Sequence, residues 1–512
     1  MSHPIKKIAL WGTIFFIAQI ALGAEEVGIR IRVQLEESRQ PLPCVMRLAP
    51  NGGEWIIPQG YYDYRKWFPM EGEILLRLPK GRYVIQIRKG PEWIPIVKEL
   101  DLVEEGQRQE FKLRRWIDMN RLGWWSGDMH IHRPVERMDL LVRAEDLNVA
   151  PVLTLWNQSS MFKEKPIPRK TVIRAEKNRY YSVLNEEHEK QGGAVLCFNL
   201  KQAVDVAGYA DWYPDALGLM QETRRQGGHV EIEKPFWLDF PLWLALGGAQ
   251  SVGVVNNHFM ENRVMNNSAW GRPREATYSQ DPAGLAYYVM DLYYKALNCG
   301  FRLPATGGAA SGVLDSPVGQ NRTYVYLERG FSYDRWFEAM EAGRCFATNG
   351  PMVFAEVNGK LPGATLRRNR PLRLQVRAAS LRGITAVEWI ADGTVAVSYS
   401  FPVPRRDVTI EDELSPGGRH WLALRVFETG PAEVARFAQT SPFYLEGEDP
   451  ARRQLPLPKR AHPDDVQFFI DWLNQRIEAT QDAAKIPDEA ARQERLKHLA
   501  AARDWFIAKR QP

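Results

Sequence analysis

From Trp124 to about Phe354 the chain alternates strand-like with helix-like runs. Such alternation restricts it to a mostly parallel sheet, either open or closed into a barrel. "WWSGDMHIH" reads as a strand, Met138–Leu147 as a helix and Pro151–Leu155 as a strand. Further strands are expected at Ala194–Phe198, His229–Glu233, Ser251–Val255, Arg302–Ala305 and Thr323–Leu327. Helices are expected at Pro214–Arg225, Ala283–Asn298 and Ser332–Ala342, with a short one at Leu242–Leu246. In parallel α/β domains the chemistry gathers at the carboxyl ends of the strands.

The flanks follow other rules. Residues 27–116 give short strands punctuated by Gly and Pro, the pattern of a β-sandwich, and 355–445 reads as a second one. A polar, Pro-containing linker leads to a helical hairpin over 460–512, with Val466, Phe469, Ile470, Leu473 and Ile477 on one face. At the other end Lys6 and Lys7 precede an apolar run from Ile8 to Leu22, closed by small residues. That is the pattern of a secretory signal over 1–23, cleaved after Gly23, with an uncleaved anchor as its competitor. Later hydrophobic runs are interrupted by charge, so no membrane span is expected after cleavage, and a periplasmic or extracellular location is.

Charge and cysteine usage narrow the field. A net charge of +5 over 512 residues, without a Lys/Arg tract carrying interleaved aromatics, argues against nucleic acid as a partner. The four cysteines include no C-x-x-C pair, which removes the common zinc-ribbon and redox readings. A Cys299–Cys345 bridge and buried free thiols both remain open.

The chemistry concentrates in the alternating segment, where His130, His132, His188, His229 and His258 all fall at or beside expected strands. In "SGDMHIHR" strand parity points His130 and His132 the same way, so two imidazoles can meet one transition metal. Asp128 shares that parity and could hold a ligand histidine in its tautomer. "NEEHEKQGG" offers Glu186, Glu187, His188 and Glu189 just before a strand, as a metal carboxylate or as a solvated charge run. "GGHVEIEKP" sets His229, Glu231 and Glu233 on one strand face beside Lys234, and "VGVVNNHF" ends a buried strand in Asn256, Asn257 and His258.

These blocks resemble the CehA/McbA group of metallohydrolases, relatives of the PHP phosphoesterases. "GDMHIHR" is similar to that group's opening G-D-x-H-x-H motif. "RAEDLNVAPVLTLWN", "HFMENRVMNNSAWGRPR", "FRLPATGGAASGVLDSPVGQNRTYVYL" and "AGRCFATNGPM" are similar to later blocks of an exported subgroup. The resemblance implies an α/β fold: a distorted (β/α)7 PHP-like barrel over 118–354, flanked by two β-sandwich domains and a C-terminal helical segment. It implies His130 and His132 as ligands, Glu187 as the bridging carboxylate, and His229 and His258 at later histidine positions. Two features depart from the pattern. Thr154–Leu155–Trp156–Asn157 stands where T-D-H-N is usual, and "ATGGAASG" carries no Asp-x-His. A reduced site follows, with one or two divalent ions of zinc, manganese or iron.

The function so implied is hydrolysis of an ester, phosphoester or carbamate bond in a small-molecule or carbohydrate substrate. On spacing, Glu231 is the general base, Lys234 or Arg133 neutralises a substrate anion, and Asn257 lies at the substrate. The competing reading is a degenerate barrel that binds a ligand or carbohydrate through some of its 17 tryptophans.

Overall fold

The computed structural model describes residues 25–446 and 462–510. The expected signal over 1–23 and most of the polar linker lie outside the described residues. Seven strands open the chain: β1 (Glu26–Leu35), β2 (Cys44–Pro50), β3 (Phe68–Met70), β4 (Glu73–Pro79), β5 (Gly81–Arg88), β6 (Ile96–Leu102) and β7 (Gln107–Leu113). They form two sheets, ordered β4-β1-β7 and β3-β2-β5-β6. In β4 the side chains of Ile74, Leu76 and Leu78 are buried while Leu75 between them is 65% exposed, the period of a sheet with one wet face. One core draws Ile29, Ile31 and Ile74 from the first sheet and Met46, Ile85 and Ile87 from the second.

The alternating segment supplies β8 (Trp124–Gly127), α1 (Val135–Ala144), β9 (Val149–Trp156), β10 (Ser159–Ser160), β11 (Val172–Glu176), β12 (Arg179–Lys190) and β13 (Gly193–Phe198). It continues with α2 (Leu217–Arg225), β14 (His229–Ile232), the single turn α3 (Phe240–Leu242), β15 (Ser251–Val255), α4 (Pro282–Asn298) and β16 (Ala305–Gly307). Strands β8, β9, β12, β13, β14, β15 and β16 close into a ring. The seam lies just past β8. Ile131 bridges Val152 on one side and Ser311 on the other, and the Gly307 carbonyl accepts from the Met129 N–H at 3.1 Å.

The ring is not wholly parallel. β13 runs antiparallel to both β12 and β14. Only Gln191 and Gly192 separate β12 from β13, far too few residues for the crossover that a parallel pair requires.

Beyond the ring come β17 (Arg322–Tyr326), α5 (Tyr333–Glu341), β18 (Cys345–Thr348), β19 (Met352–Val357), β20 (Thr365–Arg367), β21 (Leu372–Ala391), β22 (Thr394–Leu414), β23 (Trp421–Glu428), β24 (Phe437–Thr440) and β25 (Phe443–Glu446). β17 pairs with β8 and β18, β18 with β24, and β24 with β23, so strand pairing runs from the ring into the last β-rich segment without a break. The chain is thus a mixed α/β protein with large multi-strand sheets.

The chain ends in α6 (Pro463–Gln481) and α7 (Glu489–Arg510). Val466, Phe469 and Leu473 of α6 and Phe506 of α7 share one core with Met220 of α2 and Tyr293 of α4. Asp239, just before α3, accepts hydrogen bonds from Arg476 at 3.1 Å and Arg495 at 2.8 Å, and all three side chains are buried. A separate core joins Val45 of β2 and Tyr64 of the loop before β3 to Ile131, Leu141, Val152 and Val183 of the ring and α1. All four cysteines are buried and free, so the Cys299–Cys345 bridge is not formed. Among the described residues no helix is long and apolar enough to cross a membrane.

Candidate metal centre

Strand β8 ends at Gly127, and the chain runs on in extended form through the seam. His130 and His132 therefore project to the same side at the carboxyl end of the ring, their Nε2 atoms 3.1 Å apart. Glu187 joins them from β12, opposite Trp156 of β9 in the parallel register. Its Oε2 lies 2.8 Å from His132 Nε2 and 3.4 Å from His130 Nε2. Two nitrogens each held at 2.0–2.1 Å from one ion at the tetrahedral angle sit about 3.3 Å apart. The three donors have that spacing, and the buried cluster could hold a metal ion. Among the described residues it is the one group of three His, Cys, Asp or Glu side chains whose donor atoms all lie within 4.8 Å of one another.

The segment "NEEHEK" is strand rather than a lead-in to one. Glu186, Glu187 and His188 are all buried in β12, which excludes the solvated charge run. Parity splits them. Glu187 and Glu189 face the histidines, while Glu186 and His188 turn to the other face, where their polar atoms find no partner. Trp156, standing where a ligand was expected from the resemblance, brings its ring to 5.0 Å from that of His132.

A carboxylate stands behind one candidate ligand. Glu233 Oε1 lies 3.4 Å from His130 Nδ1, on the far side of the ring from Glu187. Glu233 Oε2 accepts from Trp237 Nε1 at 2.8 Å and pairs with Lys234. A carboxylate in that position orients a ligating imidazole and raises its basicity. Asp128 was the residue expected there, and the structure corrects this. Its carboxylate turns back to the main chain, accepting from the N–H groups of His130 and Ala309 at 3.0 Å and of Gly319 at 2.7 Å. It pins the loop that carries "ATGGAASG" onto the histidine strand. The loop must be small because a Cβ on Gly308 would lie 2.6 Å from His130 Cβ, and one on Gly312 2.6 Å from the His132 carbonyl oxygen.

Burial opposes a charge on His130, but Glu187 and Glu233 outweigh it and push its pKa up to about 10. Burial also opposes a charge on Glu187, yet the two histidines hold its pKa well below the usual range. Without an ion, His130 is therefore expected to carry a proton at neutral pH, which a metal would have to expel. Uptake is expected to release about one proton per ion, with affinity rising about tenfold per pH unit between pH 6 and 8. Titration calorimetry in buffers of different ionisation heat measures this, and a pH-independent affinity would contradict it.

Other expected site residues fall elsewhere. His229 is not a ligand. It begins β14 at the opposite end of the ring, where Nδ1 meets Glu341 at 2.8 Å and Nε2 meets Ser251 Oγ at 2.7 Å. Arg133, next to His132 in extended chain, points the opposite way. It bonds Ser311 Oγ at 3.1 Å and lies over the Tyr64 ring at 4.5 Å, turned from any substrate anion. Lys234 is buried, with its ammonium committed to Glu233. Glu231 lies inside the ring, its Oε2 accepting from Ser251 Oγ at 2.8 Å and Thr306 Oγ1 at 2.7 Å. Burial, against those bonds, pushes it up to about 7. His258 and Asn257 follow β15 at the carboxyl end. His258 Nδ1 donates to the carbonyls of Met265 and Asn267, each at 3.0 Å, and Asn257 Oδ1 is buried without a partner.

Glu233 and Glu189 were singled out by the sequence without a role of their own: Glu233 backs His130, and burial and Glu187 push Glu189 up to about 7. The signal for both was parity with a neighbour already singled out. No family model matches this sequence, and no curated protein matches it.

Proposed function

We propose that the chain is an exported, metal-dependent hydrolase of ester, phosphoester or carbamate bonds, built on a PHP-like barrel of the CehA/McbA kind with β-sandwich flanks. The observation that supports this most is the convergence of His130, His132 and Glu187 at the carboxyl end of the ring, with Glu233 behind one ligand. The donor set suits zinc, manganese or iron(II). Such an ion, when bound, supplies an acidified water and polarises the scissile oxygen.

The chain's own residues do the remainder. Trp156 walls the His132 side and restricts water. Glu189, partly exposed and near neutral in pKa, is placed to take a proton and return it at working pH. Glu231 has a similar pKa but is tied deeper by two hydroxyls, so Glu189 replaces it here as the general base. Asn257 offers an unpaired acceptor to a bound substrate.

The test is hydrolysis of chromogenic esters, phosphoesters and carbamates by chelator-stripped protein reloaded with zinc, manganese or iron(II). Turnover should return with metal, and Glu189→Gln should lower kcat by about 10²–10⁴-fold at unchanged metal content. Stoichiometric metal without turnover across the panel would refute the hydrolase. It would favour a ligand-binding barrel, a reading that Trp270, 45% exposed and stacked on Trp237 at 4.9 Å, supports.

A further inference from the structure

Where the C-terminal hairpin meets the ring, two buried cations share one buried anion. Arg476 and Arg495 both bond Asp239, and the three side chains are 5%, 1% and 3% exposed. A buried charge without a counterion is costly, because water does not reach it to screen it. The Trp212 ring lies 4.6 Å from the Arg476 guanidinium and 5.5 Å from that of Arg495. It attracts both but carries no charge of its own, so one positive charge is left unmatched.

A cavity lies beside this trio, lined by Asp239, Arg495, Trp212, Trp243 and His188. It offers about 10 Å³ to the centre of a water-sized sphere, room for one small occupant. Three lining side chains end in buried polar atoms without a partner among the described residues: Arg495 Nε, Trp243 Nε1 and both ring nitrogens of His188. Trp243 and His188 are each 2% exposed. A guanidinium Nε and an indole Nε1 only donate, and a neutral imidazole donates through one of its nitrogens. The other carboxylates on the wall are engaged elsewhere. Asp215 accepts from His498 Nδ1 at 2.8 Å and from the Leu217 N–H at 3.2 Å, and Asp211 faces Lys485 at 3.3 Å. Lys190 adds a further cation to the wall.

We propose that this cavity binds one small anion of the halide class, such as chloride, and that the anion completes the seam between ring and hairpin. A water accepts two hydrogen bonds and brings no charge. Three donors and an unmatched guanidinium call for an acceptor of higher capacity that is negatively charged. The volume is too small for phosphate, sulfate or an organic acid. His188 points to the opposite face of β12 from Glu187, so occupancy here is independent of a metal at the histidines. Arg495 belongs to α7, so the site is whole only with the hairpin docked, and an occupant favours the docked form.

The experiment is limited proteolysis of the full chain while sodium bromide replaces sodium gluconate at constant ionic strength, beside bromide anomalous scattering from crystals grown in the same salt. Bromide and chloride should slow release of the hairpin saturably, where gluconate does not. One anomalous peak should lie in contact with Arg495 Nε and Trp243 Nε1. Trp243→Phe keeps an aromatic ring and removes the N–H, and it should raise the half-saturating bromide concentration about tenfold or more. A cavity that holds water and no anomalous peak overturns the proposal. So does release that follows ionic strength alone, or an unchanged half-saturation in a folded Trp243→Phe. If that variant does not fold, the peak and the titration of the wild type decide by themselves.

Discussion

His130→Ala/His132→Ala is expected to bring bound metal from about one ion per chain to background. Four-ligand zinc sites bind with about 10–16 kcal/mol, or about 3 kcal/mol per ligand. Two lost imidazoles therefore cost about 6 kcal/mol, a fall of roughly 10⁴ in affinity. The strand itself should survive. Its hydrogen bonds are main-chain bonds through Met129, Ile131 and His132, and the Asp128 carboxylate still clamps the loop. Elemental analysis beside a circular dichroism spectrum separates the two effects. Retention of stoichiometric metal by a folded double variant would place the ion elsewhere and end the assignment.

Asp239→Asn is expected to be the most damaging single change outside that centre. Arg476 and Arg495 reach Asp239 from α6 and α7, and all three groups are buried. Those two guanidinium groups also hold the Asp239 carboxyl below its usual range, against the opposing effect of burial. Removing the charge strands two cations in the interior, and breaking a buried pair in this way costs about 3–5 kcal/mol. In a chain of several cores that loss is local, so a single midpoint is the wrong readout. The measurement is limited proteolysis, in which the C-terminal hairpin should be released far faster than from the wild type. Unchanged cleavage would mean that the apolar face of Val466, Phe469 and Leu473 docks the hairpin by itself.

Local rules carried part of this structure and long-range register carried the rest. That His130 and His132 meet follows from strand parity alone, a property of three consecutive residues. The helices at α1, α2, α4 and α5 likewise announce themselves by period. Glu187 is different. It reaches the histidines only because β12 pairs with β9 with Glu187 opposite Trp156, across a register shift that no short window contains. The strand "HVEIE" shows the same limit. Parity put His229, Glu231 and Glu233 on one face, but four steps along a strand span about 13 Å. Position along the strand, not the face, decides that Glu233 sits at the centre and His229 at the opposite end. The missing crossover between β12 and β13 could have been read from the two residues that separate them. The unbroken pairing from β18 to β24 could not, since it joins residues about 90 positions apart.

The ring closes where Ile131 meets Ser311, one residue from each of His130 and His132 and about 180 residues along the chain from its partner. Until that seam forms, the histidine strand has no fixed place beside Glu187, and the three donors do not converge. If the centre takes an ion, capture is therefore expected to follow closure of the ring rather than to seed it. A chain with the seam still open would present scattered imidazoles, each a weak ligand by itself. Only the closed ring would bring the three donors together on one ion.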